Sequence, residues 1–338
     1  MQQTESEEPP APPVGKLTLK GIQRPINAEL THFRAYFRDA MKSEVFLLDR
    51  VIQYLLKQKG KQMRPILVLL SARACGGVNE STYRGAALVE LLHTATLVHD
   101  DVVDDADRRR SVFSIRALWK NKIAVLLGDF LLSRGLLLAL DHKDYQLLHI
   151  VSDAVRRMSE GELLQIEKAR KLDIDEETYF RIISDKTASL LAACTMSGAA
   201  SATEDEHIRE RMKAFGQALG MAFQIRDDLF DFGVTDVGKP LGIDLIEKKM
   251  TLPLIYSLSR CKKADRKRLM RLVRKDQKSK EDIRTVTQFV TEQGGIEYAT
   301  SAMMEYANEA KQELEILPPS PARDALSDLV SFTVTRQK

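Results

Sequence analysis

Two aspartate triplets of identical spacing occur in this chain, Asp100-Asp101-Val102-Val103-Asp104 and Asp227-Asp228-Leu229-Phe230-Asp231. In a helix, the first and fifth positions of such a triplet share one face and the second lies beside them, so each triplet gathers three carboxylates. Like charges at this spacing repel one another, and a cation relieves the repulsion. Carboxylates without histidine or cysteine favour a hard ion, and Mg²⁺ typically combines one or two carboxylates with substrate phosphate oxygens. The triplets therefore predict a magnesium site for a diphosphate.

Basic side chains follow both triplets, as expected if an anionic substrate is held beside a metal ion. Arg108-Arg109-Arg110 follow the first triplet, and Lys239 and Lys248-Lys249 follow the second. Two plainer interpretations stay open at this level. A lone triplet is also consistent with a solvated acidic turn, and the arginine run could simply neutralise Asp104, Asp105 and Asp107.

The segments that carry the triplets have the pattern of helices. No proline occurs between Pro65 and Pro240, and apolar residues recur at spacings of three and four in residues 30–57, 145–171, 178–200, 207–231 and 281–317. Residues 86–98 are apolar on nearly every side, which predicts a central helix surrounded by others. Breaks between helices are expected at Gly60, Gly76-Gly77, Gly198, the segment from Gly233 to Gly238, and Gly294-Gly295. The sequence therefore predicts an all-α fold, a single large helical bundle over residues 17–338.

Composition narrows the class and the compartment. The 338 residues carry 51 Lys and Arg against 48 Asp and Glu, a net charge of +3 that argues against nucleic acid as the main partner. The three cysteines have no paired spacing, which fits a reducing compartment. Residues 1–16 are acidic and proline-rich, which predicts a disordered tail and not a signal peptide. Polar residues interrupt the longest apolar runs at Gly128, Asp129, Ser133 and Arg134. We therefore expect a cytoplasmic protein that is not integral to a membrane.

From about Gly60 to Leu258 the chain resembles the trans-type polyprenyl diphosphate synthases. The motifs that carry the resemblance are, in order, Gly60-Lys61-Gln62-Met63-Arg64-Pro65, His93, His99 to Arg110, Gly128-Asp129-Phe130-Leu131-Leu132, Asp185-Lys186-Thr187-Ala188, Gln224 to Asp231, Gly238-Lys239-Pro240, Asp244 and Lys249-Met250-Thr251-Leu252-Pro253. One departure is Ser111, because the family usually has glycine after the arginine pair. The resemblance implies a helical bundle of the isoprenoid synthase type with a central cavity, and a homodimer.

The resemblance also implies a role for each matching residue. Six carboxylates would bind three Mg²⁺ ions around an allylic diphosphate: Asp100, Asp101, Asp104, Asp227, Asp228 and Asp231. Arg109, Lys186 and Lys239 would hold the same diphosphate, and Lys249 would border both substrate sites. Isopentenyl diphosphate would be held without metal by Lys61, Arg64, His93 and Arg110. The expected catalytic residues are Lys186, which faces the leaving group, and Thr187 and Gln224, whose oxygen dipoles would lie near a carbocation.

The expected activity is chain elongation by a prenyltransferase. Farnesyl or geranylgeranyl diphosphate would lose its diphosphate with Mg²⁺ assistance, the isopentenyl double bond would attack the carbocation, and proton loss would give a longer all-trans polyprenyl diphosphate. Ala95 and Thr96, five and four residues before Asp100, are small. An aromatic residue there would indicate a short product, so we expect a medium- or long-chain product. A farnesyl or geranylgeranyl synthase of the same family is the alternative.

Three other classes fit less of the sequence. A di-iron protein is suggested by Glu-x-x-His at Glu90 to His93 and at Glu204 to His207, but the second copy lies in a segment too charged to line a core. A terpene cyclase typically has a mixed second metal motif and needs no second diphosphate site. A structural helical scaffold leaves the triplets without a purpose. The basic C-terminal end could cover the isopentenyl site, but terminal residues usually fray, so we assign Arg336 no role.

Overall fold

The structure, a computed structural model, describes residues 17–58, 60, 62–109, 112–233 and 242–336. The predicted disordered tail at residues 1–16 lies outside this range. So do three of the predicted diphosphate-binding residues, Lys61, Arg110 and Lys239. Their predicted roles, and the domain boundary at residue 17, therefore stay predictions.

Helices make up nearly all of the described chain. They are α1 (Leu19–Ile22), α2 (Asn27–Ala40), α3 (Phe46–Lys57), α4 (Met63–Cys75), α5 (Glu80–Val103), α6 (Ile115–Asp141), α7 (Tyr145–Lys171), α8 (Glu176–Ile183), α9 (Ser189–Ala202), α10 (Glu206–Phe230), α11 (Ile243–Ile246), α12 (Leu252–Arg260), α13 (Lys263–Arg274), α14 (Lys280–Glu292), α15 (Gly295–Glu313) and α16 (Pro321–Thr335). Short 3₁₀ turns lie at Arg24–Ile26 and Leu314–Ile316, a π-helical turn lies at Ser184–Ala188, and β1 (Arg108–Arg109) pairs antiparallel with β2 (Val112–Phe113). The predicted all-α class is confirmed.

The central helix is α5, which packs against α4, α6, α7 and α9. Its middle is buried on most sides, as the apolar run from 86 to 98 predicts. Two glycines of α6 let the long side chains of α5 approach closely: a Cβ at Gly128 would lie 2.1 Å from Nε2 of His99, and one at Gly135 would lie 2.3 Å from Cδ1 of Leu92. This close antiparallel pair fixes the end of α5, where the first aspartate triplet lies.

One predicted break is wrong, because Gly198 lies inside α9. A Cβ at this position would lie 2.3 Å from the backbone oxygen of Val68 in α4. The glycine therefore allows two buried helices to cross closely, and it does not end a helix.

The outer face of α6 is apolar and exposed. By length and composition it is the one helix in the described part of the chain that could cross a membrane, and 33% of its most apolar stretch is buried inside the protein. Five large side chains of this face are exposed: Leu118, Val125, Leu126, Leu137 and Leu140. We call these five residues the α6 apolar face.

Candidate active site

Both aspartate triplets border one cavity of about 1080 Å³. Asp100, near the end of α5, and Asp227, near the end of α10, line it from two sides. The two triplets, far apart in sequence, therefore meet around a single space. That space is large enough for a substrate with a diphosphate head and an apolar chain.

The first triplet is open to the cavity and to solvent. Asp100 and Asp104 are exposed, and Asp104 caps the C-terminal end of α5. Asp100 is nevertheless partly buried at the cavity wall, and this burial raises its pKa. The negative charges of Asp104 and Glu162 also raise the pKa, while the positive charges of Arg109 and Lys186 lower it. Asp100 and Asp104 thus form a repelling pair that a cation would stabilise.

The remaining carboxylate of that triplet, Asp101, faces inward. It is 4% exposed and accepts a hydrogen bond of 2.7 Å from Nε of Arg109, which itself lines the cavity. The plainer interpretation of the arginine run does not hold for Asp105 and Asp107, because Arg116 pairs with these two at 2.7 and 2.9 Å. Arg109 is therefore positioned by Asp101, while Arg116 neutralises the surface carboxylates Asp105 and Asp107.

Asp228 of the second triplet is fully buried and has three donors. The hydroxyl of Tyr179 donates to Oδ2 at 2.8 Å, while Nε2 of Gln224 and Nζ of Lys249 each donate to Oδ1 at 2.9 Å. Burial alone would lower the pKa of Lys249. The carboxylates of Asp228 and Asp244 outweigh this effect and raise the pKa. A charged acceptor with this many partners is fixed in place by the protein.

Asp231, the last carboxylate of the second triplet, is directed at a helix end. Burial raises its pKa, and the backbone N–H groups of Ile243, Asp244 and Leu245 at the start of α11 oppose that rise. It is not found among the described residues that line the cavity. Its position fits anchoring of α11 better than direct contact with an ion.

Asp227 is held by a residue from the C-terminal end. Nη2 of Arg336 pairs with Oδ1 of Asp227, and the guanidinium lies 4.0 Å from the ring centroid of Phe223. Burial lowers the pKa of Arg336, and the charge of Asp227 opposes this. Our expectation that Arg336 has no role is therefore wrong, because its side chain lines the cavity on a catalytic motif.

The π-helical turn at Ser184–Ala188 brings Lys186 and Thr187 to the cavity wall. Such turns widen the helix and often occur at functional sites. Nζ of Lys186 lies 2.5 Å from Oε2 of Glu162 on α7 and 3.3 Å from Oε1 of Gln165. Glu162 also lines the cavity, so the site contains a further carboxylate beside Asp100.

The predicted pair Thr187 and Gln224 is in contact. The Thr187 hydroxyl donates to Oε1 of Gln224 at 2.9 Å, and both side chains line the cavity. Because the Gln224 amide donates to Asp228, its oxygen is turned toward Thr187. The hydroxyl proton is thus engaged by Gln224, which leaves the oxygen lone pairs of Thr187 available to a positive centre.

Arg64 and His93 also line the cavity, on the side formed by α4 and α5. Lys249 contacts Asp228 at 2.9 Å and Asp244 at 3.6 Å. The structure thus brings Arg64, His93, Arg109, Lys186 and Lys249 to the same region as the triplets.

The di-iron alternative does not fit the structure. Glu204 is 97% exposed and pairs with Arg209, so the second Glu-x-x-His copy does not reach a core.

The donor set fits a hard divalent ion shared with a substrate. Among the described residues no three His, Cys, Asp or Glu side chains converge closely enough to hold an ion by themselves. Asp100 and Asp227 are nevertheless accessible oxygen donors on two sides of one cavity, and Asp104 is exposed one helical turn beyond Asp100. An ion here would complete its coordination with phosphate oxygens, which is the usual situation of Mg²⁺.

Two residues of the site were not anticipated from sequence: Glu162 and Tyr179. Glu162 follows Gly161, where a Cβ would lie 2.8 Å from the backbone nitrogen of Lys186. A glycine inside an otherwise regular helical pattern was therefore the available signal for that contact. Tyr179 had no comparable signal.

Comparison with known proteins identifies what the chain is similar to. Residues 45–290 match the family model described as Polyprenyl synthetase. The chain is 36% identical over 93% of its length to an all-trans-nonaprenyl-diphosphate synthase (geranyl-diphosphate specific) of Rhodobacter capsulatus, 97% of which is covered. It is 35% identical over 86% of its length to a short chain isoprenyl diphosphate synthase of Methanothermobacter thermautotrophicus, 90% of which is covered.

A solved structure agrees in fold. A polyprenyl synthase from Caulobacter crescentus, complexed with calcium and isoprenyl diphosphate, superposes with a TM-score of 0.85 at 32% identity. The match covers 96% of this chain and all of that one. The helical fold is therefore shared with a protein whose structure contains calcium and isoprenyl diphosphate.

Proposed function

This chain belongs to the polyprenyl synthetase family and is a chain-elongating prenyltransferase, and from that premise we propose that it makes a medium- or long-chain all-trans polyprenyl diphosphate. Isopentenyl diphosphate would be condensed with farnesyl or geranylgeranyl diphosphate. The observation that carries the proposal is the meeting of Asp100 and Asp227 across one cavity, with Arg64, Arg109 and Lys186 on its walls. The cavity thus has carboxylates that can bind metal and cations that can bind phosphate around the same substrate.

We propose that the divalent metal typical of the family is Mg²⁺ in this protein, with three ions in each active site. Asp100, Asp104 and Asp227 would contact these ions. Bound Mg²⁺ would supply Lewis-acid stabilisation of the diphosphate leaving group. Asp101, Asp228 and Asp231 would serve the same site indirectly: Oδ1 of Asp101 accepts from Arg109, both oxygens of Asp228 accept from protein donors, and Asp231 faces the start of α11. The six predicted ligands thus divide into three that face the ion and three that position other groups.

The cations of the site would neutralise the two diphosphates. Arg109 and Lys186 lie nearest the first triplet, and Lys186 would exchange Glu162 for a phosphate oxygen. Arg64 and His93 would hold isopentenyl diphosphate on the α4 side, with Lys61 and Arg110 as further predicted contacts. Thr187 presents oxygen lone pairs toward the allylic carbon and would stabilise positive charge there.

The proposal of a longer product rests on the wall below Asp100. Thr96, one helical turn deeper on α5, lines the cavity with a small side chain. Leu92, one turn further, is accommodated in the notch at Gly135. No aromatic side chain stands at either position to stop a growing chain. The similar identities to a nonaprenyl and a short-chain synthase leave this length to experiment.

We also propose a cytoplasmic homodimer joined through the α6 apolar face. Exposed leucines and valines in one row, on a helix that is only 33% buried over its most apolar stretch, need a covering partner in water. A second copy of the chain would provide a self-complementary partner. Light scattering should give twice the monomer mass, and Leu126→Glu together with Leu137→Glu should reduce it to one.

The test of function is a product analysis. Purified protein is incubated with radiolabelled isopentenyl diphosphate, separate farnesyl and geranylgeranyl primers and Mg²⁺, with EDTA as control. Products beyond twenty carbons that vanish with EDTA are expected, and Thr96→Phe should shorten them. Products that stop at fifteen or twenty carbons would refute the length proposal alone. No incorporation with any primer would refute the proposed reaction.

A further inference from the structure

A strongly basic segment, residues 260–280, stands out from a nearly neutral chain. It carries eleven Lys and Arg against two Asp, whereas the other 317 residues carry 40 basic and 46 acidic side chains. The overall charge of +3 thus conceals one positive region on a protein that is otherwise net negative. None of the residues in this segment lines the catalytic cavity.

Helix α13 presents these charges on one side. Leu269 and Val273 are buried against the protein. At 100° per residue the opposite side carries the cations, namely Lys263, Lys267, Arg268, Arg271 and Arg274. All five are exposed, and within the described part of the chain none of them makes an ion pair. The outer side of α13 is therefore an uncompensated row of positive charge, which we call the α13 basic face.

The α13 basic face lies close to the active site. Lys248 pairs with Asp276, just after α13, while the next residue, Lys249, pairs with Asp228 of the second triplet. Two consecutive residues thus connect the end of the basic segment to the catalytic motif. A surface that met the α13 basic face would lie near the rim of the cavity.

We propose that the α13 basic face docks the enzyme on anionic membrane lipid. A row of cations on a short helix fits a flat array of lipid phosphates, whose negative potential attracts each basic residue. The partner choice rests on the proposed function, because a long prenyl chain with a diphosphate head partitions into a bilayer. Nucleic acid fits less well, since this face offers no aromatic or amide side chain to contact bases.

Vesicle co-sedimentation of the full chain tests the docking surface. Vesicles of phosphatidylcholine alone are compared with vesicles that also contain phosphatidylglycerol, without substrate, at low and physiological salt. We expect binding only to the second kind, weakened by salt. The variant K267Q/R271Q/R274Q should bind about tenfold or more weakly, because each basic residue near the surface contributes to attachment.

Two matched variants make the result specific. K20Q/R24Q/R38Q removes the same number of exposed charges from α1, its following turn and α2, and it should bind as the unaltered chain does. K267R/R271K/R274K keeps the charge and should also retain binding. Circular dichroism and prenyl transfer in vesicle-free solution should be unchanged for all three variants.

Several outcomes would overturn the proposal. The unaltered chain could fail to sediment with phosphatidylglycerol vesicles, or both glutamine variants could lose binding equally. Tight binding of single-stranded RNA in place of vesicles would make the face a nucleic-acid surface instead. If the unaltered chain showed no prenyl transfer, the proposed function would be refuted. The vesicle result would still stand, because that experiment needs no substrate.

Discussion

The two aspartate triplets share a sequence pattern but differ in their surroundings. In the first, Asp100 and Asp104 are exposed and repel each other, and Arg109, the basic partner found among the described residues, pairs with Asp101. In the second, Asp228 is fully buried with three donors, and Asp227 already has a cation beside it. The first triplet is thus open and dependent on an external cation. The second is organised in advance by the protein.

This difference indicates a division of labour in binding. A preorganised carboxylate costs nothing to orient when substrate arrives, whereas a repelling pair gains stabilisation only when an ion and a diphosphate are present. Residues that look equivalent in a motif are therefore not equivalent in energy. Substitutions at the two triplets should separate effects on activity from effects on folding.

The largest effect is expected on turnover, where both triplets should behave alike. Asp100→Ala and Asp227→Ala each remove an accessible ion ligand and should lower kcat about 10²- to 10³-fold, because each weakens the electrostatic stabilisation of the leaving group. Steady-state assays with saturating Mg²⁺ provide the measurement. Asp105→Ala is the matched control, since that exposed side chain pairs with Arg116 and should leave turnover unchanged. Full Mg²⁺-dependent activity in either triplet variant would show that the metal assignment is wrong.

Stability should then separate the triplets. Asp228→Asn leaves the half-buried Lys249 without its closest counter-charge, so we expect the free energy of unfolding to fall by about 3 kcal/mol. Thermal denaturation should show a melting temperature lower by about 4 °C. Asp276→Asn breaks the neighbouring surface pair with Lys248 and should leave the free energy of unfolding almost unchanged, because solvent screens exposed charges. Equal losses from both variants would mean that the second triplet is not preorganised by burial.

The sequence predicts the shared features of the triplets and not their differences. Spacing along a helix suffices to place three carboxylates together, and α7 begins and ends at the predicted residues 145 and 171. The predicted segment 30–57 is two helices, because periodicity continues across the short break before Phe46. The break within 281–317 lies at Gly294, as the glycine pair predicts. Periodicity reports which face is apolar, and it carries little information on where a helix is interrupted.

The partners of each carboxylate come from remote parts of the chain, which is why local patterns miss them. Tyr179 donates to Asp228 from α8, and Lys249 reaches the same carboxylate from the segment after α11. Arg336 was dismissed as a terminal residue, yet tertiary packing buries it on Phe223 beside Asp227. Such contacts depend on how helices are stacked, and no spacing rule in one sequence specifies that.

Arg336 allows a finer test of the second triplet. If its ion pair with Asp227 competes with metal, Arg336→Gln should lower the Mg²⁺ concentration for half-maximal activity by up to about fivefold, the equivalent of roughly 1 kcal/mol. Arg323→Gln on the same helix serves as control, because its guanidinium donates to the backbone oxygen of Leu317. Activity measured across a Mg²⁺ titration distinguishes the cases. A higher Mg²⁺ requirement would indicate that Arg336 orients Asp227 for the ion and does not compete with it.

The smallest effect should appear in the first triplet and should have the opposite sign to that at Asp228. In metal-free protein, Asp100→Asn relieves the repulsion with Asp104 and should raise the free energy of unfolding by about 0.2 to 0.5 kcal/mol. Burial and neighbouring carboxylates raise the pKa of Asp100 above its usual 3.8, so its favourable contribution is present in acid and is lost as pH rises through the folded-state pKa. Denaturant titrations should therefore show the variant more stable at neutral pH and equal to the unaltered chain in acid. Asp101→Asn, which weakens the bond to Arg109, should instead destabilise the protein, and a stabilised Asp101→Asn would contradict the inward role of that carboxylate.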